Sequence, residues 1–211
     1  MFKRISILLA AFVFSAAAQA TLIDFTGADW EQAIVNGGGT TATIGNITLT
    51  ADNGSLTFNR KDSGGCKDGQ PTNGLTCDGD GIGINNDEIT QGGSQQITLT
   101  FDKAVNITDI ILLDLFSAER GYDVNGDATT GEIAIIEGIQ YFGPNLLAGG
   151  YYATGFSGQA ITSIVFSGNL DSFSDYALAA IEVSAVPIPG AAILFGSALL
   201  GFFGFKRRRL A

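Results

Sequence analysis

The stretch QITLTFDKAVNITDIILLDLF, residues 96–116, decides the fold class. Ile97, Leu99 and Phe101 alternate with Gln96, Thr98 and Thr100, the period of a strand with one face buried and the other wet. From Val105 the alternation continues and then gives way to an unbroken apolar run, IILLDLF. That is the pattern of a strand buried on both faces or lying centrally in a sheet.

The same period two extends outward in both directions. Ile47 and Leu49 alternate with threonines, and Leu56 and Phe58 with Ser55 and Thr57. Later strand candidates are residues 133–139, 151–154, 161–166 and 177–183, with a further short one at 21–25. GG, NG, GD and GN pairs punctuate them, as tight turns require. One short helix is expected in TGADWEQAIVNGGG. Thr26 or Asp29 would cap it, Trp30 and Ile34 would face the core with Phe25, and Gly37–Gly39 would end it. Trp30 also has the alternative of stacking on a sugar ring. No long helical pattern occurs in residues 21–185. The expected fold is all-β: an antiparallel, jelly-roll-like β-sandwich of roughly eight to ten strands.

Both ends of the chain read differently. Lys3 and Arg4, the apolar run 5–14 and Ala18-Gln19-Ala20 have the three-part order of a signal peptide, residues 1–20, with cleavage leaving Thr21 first. At the other end, VPIPGAAILFGSALLGFFGFKRRR (186–209) begins with two prolines that break regular structure, Pro187 and Pro189. An uncharged run follows, residues 190–205, a little short of the roughly 20 residues of a spanning helix. Lys206, Arg207, Arg208 and Arg209 then form a stop signal expected to stay on the cytoplasmic side. The domain expected between these ends is 21–185, and the tail is 186–211.

This order of short proline motif, apolar helix and terminal arginine cluster resembles the PEP-CTERM sorting signal, in the variant written VPLPA-CTERM. Val186, Pro187, Ile188, Pro189 and Gly190 carry the motif, with Ile188 where the commoner form has Glu. GIGINNDEI, followed by QQITLTF and IILLDLF, is similar to stretches of exported PEP-CTERM β-domains. The resemblance implies a substrate of an exosortase, an integral-membrane cysteine transpeptidase-like enzyme, in a Gram-negative bacterium that makes exopolysaccharide. It implies an intermediate anchored in the inner membrane before processing, then a place at the cell surface or in the extracellular matrix. It assigns no activity.

Charge and cysteine content narrow the function. All 21 acidic residues lie in 24–182, against five cations (Arg60, Lys61, Lys67, Lys103, Arg120), a net charge of −16 for that region. Such a surface argues against nucleic acid and anionic lipid. It suits divalent cations and polysaccharide that is neutral or bridged by cations; acidity kept for solubility is the alternative. Cys66 and Cys77, the two cysteines of the chain, are expected to form a disulfide in an exported protein, contributing about 2–3 kcal/mol.

With no histidine in the chain, acid–base chemistry would fall to carboxylates. Glu88, Glu119, Glu132 and Glu137 are the candidates for a glycosidase pair, but no spacing selects two of them, and the expectation is no enzyme. Two stretches concentrate oxygen ligands for calcium: Asp78, Asp80, Asp87 and Glu88 in CDGDGIGINNDEI, and Asp123, Asn125 and Asp127 in GYDVNGDATTGE. The second opens like an EF-hand loop and then departs, with Ala128 at the turn and Ala134 at the twelfth position. Solvated turns are the alternative for both. The sequence thus leads to a structural or adhesive protein of the exopolysaccharide matrix. A carbohydrate-binding module is the alternative, which would display exposed aromatics such as Tyr122, Tyr141, Tyr151 or Tyr152.

Overall fold

The computed structural model describes residues 19–59, 66, 74–85, 88–89, 95–116, 120–122, 128–143, 150–168, 175–186 and 196. Ala20–Ala185 form one compact unit, and Met1–Gln19 with Val186–Ala211 form another. The leader's charged and apolar parts, the motif beyond Val186, and, Gly196 apart, the run ending in Lys206–Arg209 lie outside the described residues. Among the described residues no helix is long and apolar enough to cross a membrane.

The domain is antiparallel β with one short helix. Thirteen strands are described, more than the sequence leads one to expect, because short pieces such as β2 (Thr41–Ile44) and β5 (Gly81–Ile84) lack a run long enough to show a period, while β11 (Tyr152–Ala153) falls within the expected 151–154. The organising element is β6, Gln96–Leu113. Its first half pairs with β3 (Ile47–Asp52) on one edge and with β12 (Gly158–Ser167) on the other. In its second half β13 (Ala177–Ala185) replaces β3, while the start of β12 and then β11 continue along the other edge. Beyond β3 lies β2, and beyond β12 lies the hairpin of β9 (Ile133–Ile136) and β10 (Ile139–Phe142). Beyond β13 lie β1 (Ala20–Asp24) and β5, which carries β4 (Leu56–Asn59). β7 (Arg120–Tyr122) and β8 (Ala128–Thr130) make a separate ribbon.

Two irregularities explain the change of pattern along residues 96–116. Glu182 faces Asp109 but Val183 faces Ile107, so Thr108 is an extra residue on β6. Such a bulge reverses which side chains face the core. Before it, Ile97, Leu99, Phe101 and Ile107 point into the main cluster; after it, Ile110 and Leu112 do. Ile111 and Leu113 join a second cluster with Leu75, Tyr151, Ala179, Ala180 and the two cysteines. The unbroken apolar run is therefore a strand covered on both faces. β13 shows the matching irregularity between Leu178 and Ala180, which aims Leu178 and Ile181 at the main core and Ala179 and Ala180 at the second.

Helix α1 spans Asp29–Asn36, with Trp30, Ala33 and Ile34 buried at the expected helical spacing. The Trp30 ring packs 4.9 Å from that of Phe25, and its Nε1 donates to the Asp24 carbonyl at 2.9 Å. The expected cap is different: Ala28 occupies the cap position and no side chain caps the helix. The Thr26 hydroxyl instead donates to Asp24 Oδ1 and accepts from the Cys77 N–H, holding a distant segment. The helix stops at Gly37, where a Cβ would lie 1.9 Å from the Thr41 carbonyl oxygen. Tyr176, fully buried, sets its hydroxyl 2.9 Å from the Ser167 carbonyl and 3.2 Å from that of Ile135, tying β12 and β9 to the start of β13.

Candidate functional site

The outward faces of β2, β3, β6 and β12 line up in register. Thr43, Thr48, Thr100 and Ser163 form one row across the sheet; Thr41, Thr50, Thr98 and Val165 form the next. These side chains are half-buried or exposed, because the alternate residues Ala42, Leu49, Leu99 and Ile164 fill the core. Strand spacing sets neighbouring backbone positions about 4.8 Å apart across the sheet and same-face positions roughly 6.7 Å apart along a strand. Thr43 and Thr48 are close enough for a 3.0 Å hydroxyl–hydroxyl bond. None of these eight side chains is charged; Asp52 and Asp102 lie beyond them at opposite ends of the strands, and the Glu137 carboxylate borders the second row, where it accepts from the Val165 N–H. Threonine presents a donor, an acceptor and a methyl group together, so such a face contacts polyhydroxylated, uncharged matter through both hydrogen bonds and C–H surface.

A groove of about 500 Å³ runs along the free side of β2, beside α1. Asp29, Gln32 and Asn36 lie three and four residues apart, on one face of the helix. Opposite them stand Thr41 and Thr43, so the groove opens from the hydroxyl face. Gln32 Nε2 donates to Asn36 Oδ1 at 3.1 Å, and the Thr41 hydroxyl donates to the Gly37 carbonyl at 3.1 Å. Reading α1 for its core side alone missed this stripe, although the same three–four spacing that reveals Trp30 and Ile34 also reveals it.

The acidic residues singled out from the sequence are placed otherwise than in one loop. CDGDGIGINNDEI contains β5, buried along its whole length. Asp80 precedes that strand, is fully buried, and accepts from the Cys66 N–H at 3.1 Å. Glu88 follows it, with its carbonyl accepting from the Ile84 N–H. Four residues of strand put the two backbones roughly 13 Å apart. Asp78 is exposed and accepts from the Ala28 N–H at 3.1 Å. Asp87, Asp123, Asn125 and Asp127 lie outside the described residues. Among the described residues no three His, Cys, Asp or Glu side chains gather as a metal site would need.

Instead, Asp24, Thr26, Asp78 and Asp80 hold the segment of the Cys66–Cys77 disulfide, whose Cα atoms are 5.4 Å apart. Asp24 Oδ1 accepts from the Thr26 N–H and hydroxyl, and its Oδ2 accepts from the Thr76 N–H at 2.6 Å. The Thr26 carbonyl accepts from the N–H groups of Asp78 and Gly79. Cys66, Leu75 and Cys77 of that segment pack in the second cluster with Ile111 and Leu113.

The glutamates are also structural in their contacts. Glu132, buried, accepts from the Phe116 N–H at 2.6 Å; Glu137, in the β9–β10 turn, accepts from the Val165 N–H at 2.6 Å. They sit at opposite ends of β9, about 16 Å apart along the strand, wider than a glycosidase pair. Glu88 lies beside β5, and Glu119 lies outside the described residues. The aromatics correct two expectations. Trp30 is buried, so it has no face for a sugar. Tyr151 is buried in the second cluster, and Tyr141 and Tyr152 are half-buried against the main core with their rings 6.4 Å apart. Burial, and secondarily Tyr152, raises the Tyr141 hydroxyl above its ordinary pKa. The side chain of Tyr122 is outside the described residues.

Fold and site together define a class: an antiparallel, disulfide-stapled β domain that presents an uncharged hydroxyl face beside a polar groove. No family model, curated protein or solved structure matches the chain.

Proposed function

We propose that the protein is an exported, exosortase-sorted structural or adhesive component of an exopolysaccharide matrix, and that it grips neutral polysaccharide through the outward face of β2, β3, β6 and β12. The observation that carries this reading is the charge distribution. A region with net charge −16 keeps two rows of four outward side chains uncharged and rich in hydroxyls. Anionic polymers, nucleic acid included, would be repelled by the net negative charge of the surroundings. The disulfide fits an oxidising destination outside the cytoplasm. We read the architecture as a jelly-roll-like sandwich, supported by one core cluster that draws side chains from both halves of β6 and from their separate partners. Sorting through Val186–Gly190, an inner-membrane intermediate held by the 190–205 run, and stopping at Lys206–Arg209 belong to the same proposal. So does calcium at Asp123, Asn125 and Asp127 and at Asp87.

The test is electrophoresis of the full chain, in a sugar-free zwitterionic detergent, through gels containing a neutral β-glucan or anionic alginate. The glucan is expected to retard it and the alginate to leave its mobility unchanged. Thr98→Val with Thr100→Val keeps shape and strand preference while removing two hydroxyls, and is expected to weaken retardation at least tenfold. Equal mobility in all gels would sink the reading.

A further inference from the structure

We propose that the groove between α1 and β2 is a saccharide subsite that holds one uncharged sugar unit of the polysaccharide contacted by the adjoining face. The inference rests on the polysaccharide reading above and gives it a specificity-determining site. The groove's volume, about 500 Å³, falls among small-molecule clefts, which span about 300–1,000 Å³. Its polar groups converge from two elements. Asp29, Gln32 and Asn36 project from the helix, and Thr41 and Thr43 from the strand. Buried Ala33 and half-buried Ile44 line it between them, giving an apolar surface for the C–H side of a pyranose ring.

The composition of this lining, taken over the described residues, selects the ligand class by elimination. It contains no cation, so phosphate, sulfate and uronate groups have no counter-charge, and the Asp29 carboxylate opposes them. It contains one carboxylate, too little negative charge to favour a divalent cation over water. It contains no aromatic ring, so nucleobases and other flat ligands have nothing to stack on. What remains is a carboxylate, two carboxamides and two hydroxyls. Vicinal sugar hydroxyls, each both donor and acceptor, can engage every one of them. The Gln32–Asn36 bond orients both amides in advance, leaving Gln32 Oε1 to accept and Asn36 Nδ2 to donate. Because Thr41 and Thr43 belong to the groove and to the hydroxyl rows alike, a chain lying on the face would place one unit in the groove.

The test is saturation-transfer difference NMR on the full chain in sugar-free zwitterionic detergent. The probes are neutral gluco- and galacto-oligosaccharides of five or six units, with oligogalacturonate as the charged counterpart. Gln32→Ala, Asn36→Ala and the face pair Thr98→Val/Thr100→Val are compared, with circular dichroism melts to establish that each is folded. Transfer to a neutral oligosaccharide is expected, none to oligogalacturonate, and at least a tenfold weaker affinity for each groove variant. If the groove variants bind as the wild type does while the face pair loses binding, the subsite is wrong and the adhesive reading survives. If the wild type binds no neutral oligosaccharide yet is retarded by the β-glucan gel, the subsite again falls alone. If it binds neither, both readings fall.

Discussion

Opening the Cys66–Cys77 bridge isolates the contribution of the only covalent cross-link among the described residues. The bonded residues are 11 apart. Closing a loop of that length removes unfolded-state entropy amounting to about 3 kcal/mol at 25 °C. In a domain of this size each kcal/mol corresponds to about 2–4 °C in Tm, so Cys66→Ala with Cys77→Ala should melt about 6–12 °C lower. The consequence is not purely entropic. The bridge lies over Ile111 and Leu113, side chains whose burial contributes about 1.5–3 kcal/mol each, and a segment that lifts away would expose them. The double variant should therefore bind more of an apolar dye below its midpoint. Scanning calorimetry or circular dichroism of the full chain measures the shift. Reductant should lower the wild-type midpoint similarly and leave the variant unchanged. Thiol labelling of unfolded, unreduced protein should find no free cysteine. A drop below about 2 °C would refute the reasoning. It would mean that the bonds from Asp24, Thr26 and Asp80 hold the segment without the bridge. In that case Asp24→Ala, which removes the acceptor for three donors, would be the more damaging change.

Tyr176→Phe should cost about 1–2 kcal/mol in denaturant unfolding, because two carbonyls lose their shared donor. Burial raises the folded-state pKa of the Tyr176 hydroxyl well above its ordinary value of 10.0. The unfolded chain therefore releases that proton first. The contribution is intact below pH 10 and falls as pH rises above it, by up to about 1.4 kcal/mol per pH unit. The phenylalanine variant should lack this slope; an identical alkaline profile would count against the buried hydroxyl. Melting in chelator, calcium and magnesium at matched ionic strength tests the cation proposal: calcium should raise the midpoint more than magnesium, and Asp123→Ala with Asp127→Ala should remove the difference. Equal shifts would reduce the effect to charge screening. Neutralising Lys206–Arg209 should leave the tail unprocessed in cells, read by mass spectrometry of the exported protein. Normal processing would exclude the block as a stop signal.

Much of the chain's architecture was legible because it depends on near neighbours. Alternation at Ile97–Phe101 and Ile47–Leu49, the three–four spacing of Trp30 and Ile34, and the glycines after Asn36 are local patterns with local causes. Pairing of the two cysteines followed from there being two. The sequence alone also limited the IILLDLF run to a strand covered on both faces or lying centrally in a sheet, since an unbroken apolar run does not suit a strand wet on one face. What covers it was not legible. The extra residue at Thr108, which turns Ile110 inward where parity would have turned Ile111, shows itself only against the register of β13. β5 escaped notice because Gly81 and Gly83 carry no hydrophobic signal. Gly81 is buried by the close approach of β13, where a Cβ on it would lie 2.3 Å from the Leu178 carbonyl oxygen. The acids around it read as a ligand cluster because they are near in sequence, whereas the extended strand separates Asp80 from Glu88. The hydroxyl rows and the groove are likewise tertiary. Each threonine pair is visible as the wet half of a strand, but four strands must fall into register, and α1 must dock beside β2, before these residues share a surface. Local periodicity is written in the order of the residues; which faces meet is set by long-range burial.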